Sequence, residues 1–272
     1  MGLFFKKKAV PPRVGLVLGG GGARGFVEIG ALKAFYERGI KFDVCVGTSV
    51  GSIVGALYAA GVKPDDIIAA AEKLELTDVH SRILIKPDSP KKIGAVVENL
   101  IGDKNIEDLP IKYAAVATDL KTGKQIVMDK GSVTDAVSAS SAYPIVYAPF
   151  QKDGMNLSDG GLVNNLPVDV CLMLGAEKTV AVDIANKARG SGTDGVTMFD
   201  VLKGVFSIMS NNSSVLGRTK ADVLISPDTT PYSAAKKTGF REMIELGYAA
   251  ATEKCDEIKE LFTPAKKRKH KD

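Results

Sequence analysis

The chain has 272 residues, room for one large domain or two small ones, and its 45% hydrophobic and 25% charged residues exclude a disordered protein. Its formal charge of +4 sits on the two ends: Lys6, Lys7 and Lys8 supply +3, while Lys266, Lys267, Arg268, Lys269 and Lys271 less Asp272 supply +4, leaving −3 on residues 9–265. A slightly acidic body of this kind disfavours a nucleic-acid-binding domain, which carries its cations on folded elements.

Residues 13–18 form a short apolar run that ends in four glycines, the pattern of a buried strand feeding a turn. Phe26, Ile29, Leu32 and Phe35 then recur at helical spacing until Gly39 closes the helix. Residues 42–46 predict a second strand and 50–60 a second helix, closed by Gly61. The 19 uncharged residues 44–62 are long enough to suggest a membrane span, but Gly47, Thr48, Ser49, Gly51 and Ser52 interrupt them. A strand, a tight turn and a buried helix explain that run better. Pro64 opens a third helix to about Leu74, and residues 93–101 predict a fourth.

Residues 111–120 read as a central strand, paired through Thr122-Gly123 with residues 125–128. Ser132 caps a helix that runs to Ser140 and is stopped by Pro144. Asp153-Gly154 is a strong hairpin signal between strands 147–151 and 155–158. Pro167 opens a helix to Leu174, and residues 179–184 form another buried strand. In residues 198–210, Met198, Val201, Leu202, Val205, Ile208 and Met209 make one broad apolar face, expected to pack into the core. A strand at 222–226 and an amphipathic helix at 240–261 complete the series. Strands alternate with helices, and no linker or repeat divides them. The expectation is a single three-layer α/β/α domain, residues 13–263, with a mostly parallel sheet between a basic N-terminal segment (1–12) and a basic tail (264–272).

Three scattered cysteines, Cys45, Cys171 and Cys255, make neither a disulfide framework nor a zinc pattern, so a reducing, cytoplasmic compartment is expected. Residues 1–8 place three apolar residues ahead of three lysines, the wrong order for a signal peptide. No H-E-x-x-H or EF-hand loop occurs, so no metal or other cofactor is expected.

Two glycine motifs open the first two helices. Gly20-Gly21-Gly22-Ala23-Arg24-Gly25 fits G-x-G-x-x-G, but a dinucleotide site needs an acidic residue at the carboxyl end of the second strand, and Asp43 lies at its start. A turn without a ligand is one alternative. The other is a row of backbone N–H groups at a helix N-terminus, suited to a developing negative charge, with Arg24 as a nearby cation. Gly47-Thr48-Ser49-Val50-Gly51 is a G-x-S-x-G between strand and helix, the context of a nucleophile elbow.

A nucleophilic serine needs a base. The only histidines are His80, in a polar connector, and His270, in the basic tail; neither suits a Ser-His-Asp triad. A carboxylate is the alternative. Asp159, in Ser158-Asp159-Gly160-Gly161, ends a predicted strand at two glycines, although a turn Asp before Gly is common. Asp119, Asp183 and Asp200 also end strands or loops, and spacing does not choose among the four.

Taken together, Gly20 to Gly25, Gly47 to Gly51 and Asp159 to Gly161 resemble, in order, the glycine loop, elbow and D-G-[GA] motif of the patatin-like phospholipase family. Ala139-Ser140-Ser141-Ala142-Tyr143-Pro144 looks like the A-S-x-A-x-P block these proteins carry between elbow and base. The resemblance spans about residues 13–226. It implies a patatin-like fold and a Ser–Asp dyad with Ser49 as nucleophile, Asp159 as general base, and N–H groups around Gly21 and Gly22 beside Arg24 as oxyanion donors. It also implies hydrolysis of phospholipids or other fatty acyl esters through an acyl-enzyme. The helix at 198–210 then has a second reading, as the wall of an acyl-chain channel. The basic ends become candidates for peripheral contact with an anionic membrane. A non-catalytic lipid-binding or regulatory relative is the competing class.

Overall fold

Alternation of side chains along each strand decides which layer covers it. The computed structural model describes residues 10–76, 88–144, 146–185, 197–234 and 238–264; the basic residues of the two ends (6–8 and 266–271), His80 and His270 lie outside them. Four parallel strands form the centre: β1 (Val14–Leu18), β2 (Val44–Thr48), β3 (Lys112–Asp119) and β7 (Lys178–Val182). Around them are β4 (Lys124–Met128), β5 (Phe150–Lys152), β6 (Met155–Asp159) and β8 (Val223–Ile225). The hydrogen-bonded order is β5-β6-β3-β2-β1-β7-β8, with β4 also paired to β3. β1, β2, β3, β7 and β8 run parallel, whereas β4, β5 and β6 enter by antiparallel pairing.

In β1, Val14, Leu16 and Leu18 face one buried cluster and Val17 the other. In β7, Val180 and Val182 oppose Ala181 in the same way. Burial on both faces is why these strands read as continuous apolar runs. The larger cluster lies under α1 (Phe26–Glu37), α2 (Val50–Ala59), α3 (Pro64–Leu76), α4 (Lys91–Ile101), α5 (Val133–Ser140) and α9 (Phe240–Leu261). The smaller lies under α6 (Val168–Met173). The three-layer α/β/α architecture with a mostly parallel centre is therefore as expected, and residues 44–62 are β2, a one-residue turn, α2 and the turn that closes it. Cys45, Cys171 and Cys255 are buried free thiols. Among the described residues, no helix is long and apolar enough to cross a membrane.

One expectation fails in this region. The helix expected at 198–210 is present as α7 (Met198–Ser213) and is followed by α8 (Val215–Lys220). Its apolar side is not core packing: Val201, Val205 and Ile208 are about half exposed, at 51%, 47% and 52%. Helical spacing reveals that a helix has two faces, but not which one the sheet takes.

Candidate active site

β2 ends at the carboxyl edge of the sheet, where the chain must reverse into α2 within one residue. Ser49 makes that turn at φ 54°, ψ −126°; Asp153 is the only other described non-glycine residue with positive φ. Such a conformation costs of the order of 1–3 kcal/mol and persists only where the surroundings impose it. Close approach imposes it here. A methyl group at Gly47 would run into the Gly51 carbonyl, and one at Gly51 into the Leu18 carbonyl. Ser49 is thereby left partly exposed at the start of α2.

The register of β3 explains how Asp159 reaches it. β2 pairs with β3 as far as Thr48↔Val116, and β6 pairs from Ala117↔Asp159 to Asp119↔Leu157. β4 pairs along both stretches, so it occupies the opposite edge of β3. A strand has only two edges; β6 therefore takes over the edge that β2 leaves at the elbow. Asp159 meets Ser49 nearly head-on. Ser49 Oγ donates to Asp159 Oδ2 at 2.6 Å, and Gly161 N–H donates to Oδ1 at 2.8 Å. The Asp159 backbone is held as well, its N–H by Ala142 O at 3.0 Å and its carbonyl by Thr118 Oγ1 at 2.9 Å. Gly160 lets this turn lie directly on the Val116 carbonyl. With Asp159 only 1% exposed, burial raises its pKa to about 6, against the opposing effect of the Ser49 and Gly161 hydrogen bonds.

The other three carboxylates are engaged elsewhere. Asp119 accepts from Thr122 Oγ1, Asp183 pairs with Arg218 and Asp200 accepts from Thr197 Oγ1. Tyr143 stands beside Asp159, edge-on to Phe206 with ring centroids 4.5 Å apart; burial and the neighbouring Asp159 raise its pKa to about 12.

The glycine loop crosses above β1 and enters a short 3-10 turn at Gly22–Gly25. Gly20 N–H is spent on Asn165 O, Ala23 N–H on Ala234 O and Arg24 N–H on Gly21 O. Among the described residues, the N–H groups of Gly21 and Gly22 have no acceptor. Gly25 packs on Val50, and Gly20 lies against Ser49 Cβ and the Asn165 side chain. Arg24 points the other way: its largely buried guanidinium donates to Ile184 O at 3.2 Å and faces Asp183. Its hydrogen bond goes to the segment after β7, not to Ser49 or Asp159.

Two residues to which the sequence assigned no role tie the site together. Ser140 Oγ accepts from Ser49 N–H at 2.9 Å and donates to Val116 O at 2.6 Å. The 139–144 block therefore braces both partners, Ser49 through Ser140 and Asp159 through Ala142. Asn165 Nδ2 donates to Gly20 O and to Ser214 Oγ, each at 3.1 Å, joining the glycine loop to the end of α7. Ser140→Ala would strand a buried N–H and a buried carbonyl, at about 1–3 kcal/mol each. The variant is expected to lose stability in chemical denaturation and at least about tenfold in esterase kcat, because the elbow loses its brace. Unchanged values of both would remove Ser140 from this role.

A family model for patatin-like phospholipase matches residues 16–172. An uncharacterized NTE family protein of Mycobacterium tuberculosis is 38% identical over 190 residues, 67% of this chain and 52% of that protein. Patatin-like phospholipase domain-containing protein 7 of Rattus norvegicus is 34% identical over 201 residues, 70% of this chain but 15% of that protein. The chain thus spans about half the length of the mycobacterial relative and a small part of the rat one. VipD from Legionella pneumophila shares the fold, with a TM-score of 0.63 at 16% identity over 92% of this chain and 68% of that one. With more than half of its length matched by the family model, and with its glycine loop, elbow and D-G-G turn assembled at one edge of the sheet, the chain belongs to the patatin-like phospholipase family.

Proposed function

We propose that this protein is a lipid acyl hydrolase that cleaves fatty acyl esters through a Ser49–Asp159 dyad. The observation that carries the reading is the 2.6 Å hydrogen bond from a strained elbow serine to a buried carboxylate whose pKa is raised to about 6. An ordinary aspartate is too weak a base to take a serine proton efficiently; burial narrows that gap. Ser49 Oγ attacks the acyl carbonyl as Asp159 Oδ2 accepts its proton. The carbonyl oxygen becomes an oxyanion within reach of the Gly21 and Gly22 N–H groups. Asp159 returns the proton to the departing alcohol oxygen, leaving an acyl-serine. Water then attacks that ester while Asp159 accepts its proton, and the proton passes to Ser49 Oγ as the fatty acid leaves.

An activity-based fluorophosphonate tests the nucleophile directly. Covalent labelling of the folded wild type, located at Ser49 by peptide mapping and absent from Ser49→Ala, is the expected result. Folded wild-type protein that stays unlabelled would favour a non-catalytic lipid-binding relative.

A further inference from the structure

The paired helices α7 and α8 are built inside out. Their sheet-facing side carries Phe206, Ser210, Ser213, Ser214 and Gly217, mostly small or polar residues. Ser213 Oγ donates to Gly161 O at 2.9 Å, so this side rests on the turn that presents Asp159. The outward side carries Val201, Val205, Ile208 and Val215, spaced by four, three and seven residues and 47–52% exposed. Leu202 and Met209 flank them. Of the fifteen large apolar side chains exposed among the described residues, nine lie between Met198 and Leu216. A helix that only completed a core would have the reverse arrangement. Scattered exposed apolar side chains are ordinary, but this concentration marks an interaction surface.

The charge of the stretch favours one occupant. From Val201 to Lys220 it carries Lys203, Arg218 and Lys220 and no carboxylate; Lys203 is partly buried over the Phe199 ring, whereas Lys220 is exposed at the end of α8. Among the described residues, neither lysine forms an ion pair. The nearest carboxylate, Asp200, lies in the first turn of α7, before this stretch, where it accepts from Thr197 Oγ1. An exposed apolar stripe in a cationic stretch, with Lys220 exposed at its end, matches an anionic bilayer surface, where aliphatic groups enter the acyl region and ammonium groups stay at the headgroups. We infer that the outward face of α7–α8 docks the protein on an anionic phospholipid bilayer. This inference rests on the lipid acyl hydrolase reading: through Ser213 and Gly161, the docked helix adjoins the dyad that would receive the substrate.

Binding and catalysis are separated in the test. The 272-residue chain carrying Ser49→Ala, which cannot turn over lipid by the proposed route, is co-sedimented with phosphatidylcholine vesicles containing a minority of phosphatidylglycerol. Adding Val205→Asp and Ile208→Asp is expected to weaken binding by at least about tenfold, with much of the wild-type binding surviving high salt. Val205→Ser with Ile208→Ser gives a milder version that guards against misfolding, and circular dichroism checks each variant. In the Ser49 background, hydrolysis of soluble p-nitrophenyl butyrate is expected to survive both pairs of substitutions. Undetectable vesicle binding would overturn the inference, as would binding that ignores the α7 substitutions and disappears when residues 1–9 and 265–272 are deleted. A dimer in light scattering that these substitutions dissociate, without vesicle binding, would instead assign the face to a second copy of the chain and overturn it too. Wild-type protein that binds vesicles through α7 but fails to hydrolyse the soluble ester would count against the hydrolase proposal alone.

Discussion

Ser49→Ala is expected to lower kcat on a soluble acyl ester by about 10⁴-fold or more, with little change in KM. Alanine keeps the Cβ and the elbow backbone, so the brace from Ser140 and the N–H groups of the glycine loop stay in place. What disappears is the atom proposed to form the covalent bond. Residual turnover would come from water attacking an ester still held by oxyanion donors, a route that retains only a small part of a serine hydrolase's rate. Burst kinetics with p-nitrophenyl butyrate measure both halves of the prediction, since the wild type should release a stoichiometric burst if deacylation is slow and the variant none. A loss smaller than about tenfold would transfer the chemistry to another residue.

The second large effect follows from Asp159. Its pKa of about 6 predicts that kcat/KM rises with pH through that value and levels off above it, with about one-tenth of the plateau rate remaining at pH 5. His80→Ala combined with His270→Ala should leave this limb in place; its disappearance would identify a histidine base. Asp159→Asn is expected to cost about 10³–10⁴-fold in kcat, since an amide cannot accept the proton.

The same substitution is expected to stabilise the fold. Asp159 has a folded pKa raised from the usual 3.8 to about 6, so its protonated form is favoured on folding. The resulting stability is fully present below about pH 4 and is lost as pH rises through about 6. A shift of this size corresponds to up to about 3 kcal/mol, forfeited by the wild type at pH 8. Asparagine keeps an oxygen for Gly161 N–H and gains a donor toward Ser49 Oγ. Thermal melts should therefore show Asp159→Asn more stable than wild type at pH 8, and the difference should close toward pH 4. Equal melting temperatures at pH 8 would mean that Asp159 is not held at a raised pKa.

Much of this architecture was legible because local chemistry enforces it. Asp153-Gly154 turns the β5–β6 hairpin with both residues at positive φ, and Ser132 caps α5 by accepting the Asp135 N–H. The elbow was readable because Gly47 and Gly51 are the residues that let a strand and a helix pass so closely. The choice of Asp159 over Asp119, Asp183 and Asp200 was not readable from spacing; it depends on which edge of β3 each strand occupies. Ser140 and Asn165 were invisible for a related reason. Their roles are hydrogen bonds to backbone 91 and 145 residues away, and a serine or asparagine looks the same in sequence whether it caps a turn or braces a distant loop. The outward apolar face of α7 escaped because spacing records amphipathicity without its direction.

The head-on meeting of β2 and β6 along one edge of β3 also governs where this chain can change length. Residues added at the tip of the β5–β6 hairpin, around Asp153-Gly154, leave the Ala117↔Asp159 pairing intact. One residue inserted between Leu157 and Asp159 shifts the strand by one position, and every side chain after it changes face. The carboxylate would then be carried to the other side of the sheet, in a chain with nearly the same composition and core. Changes of length should therefore be tolerated at the Asp153-Gly154 tip and eliminated between Leu157 and Asp159.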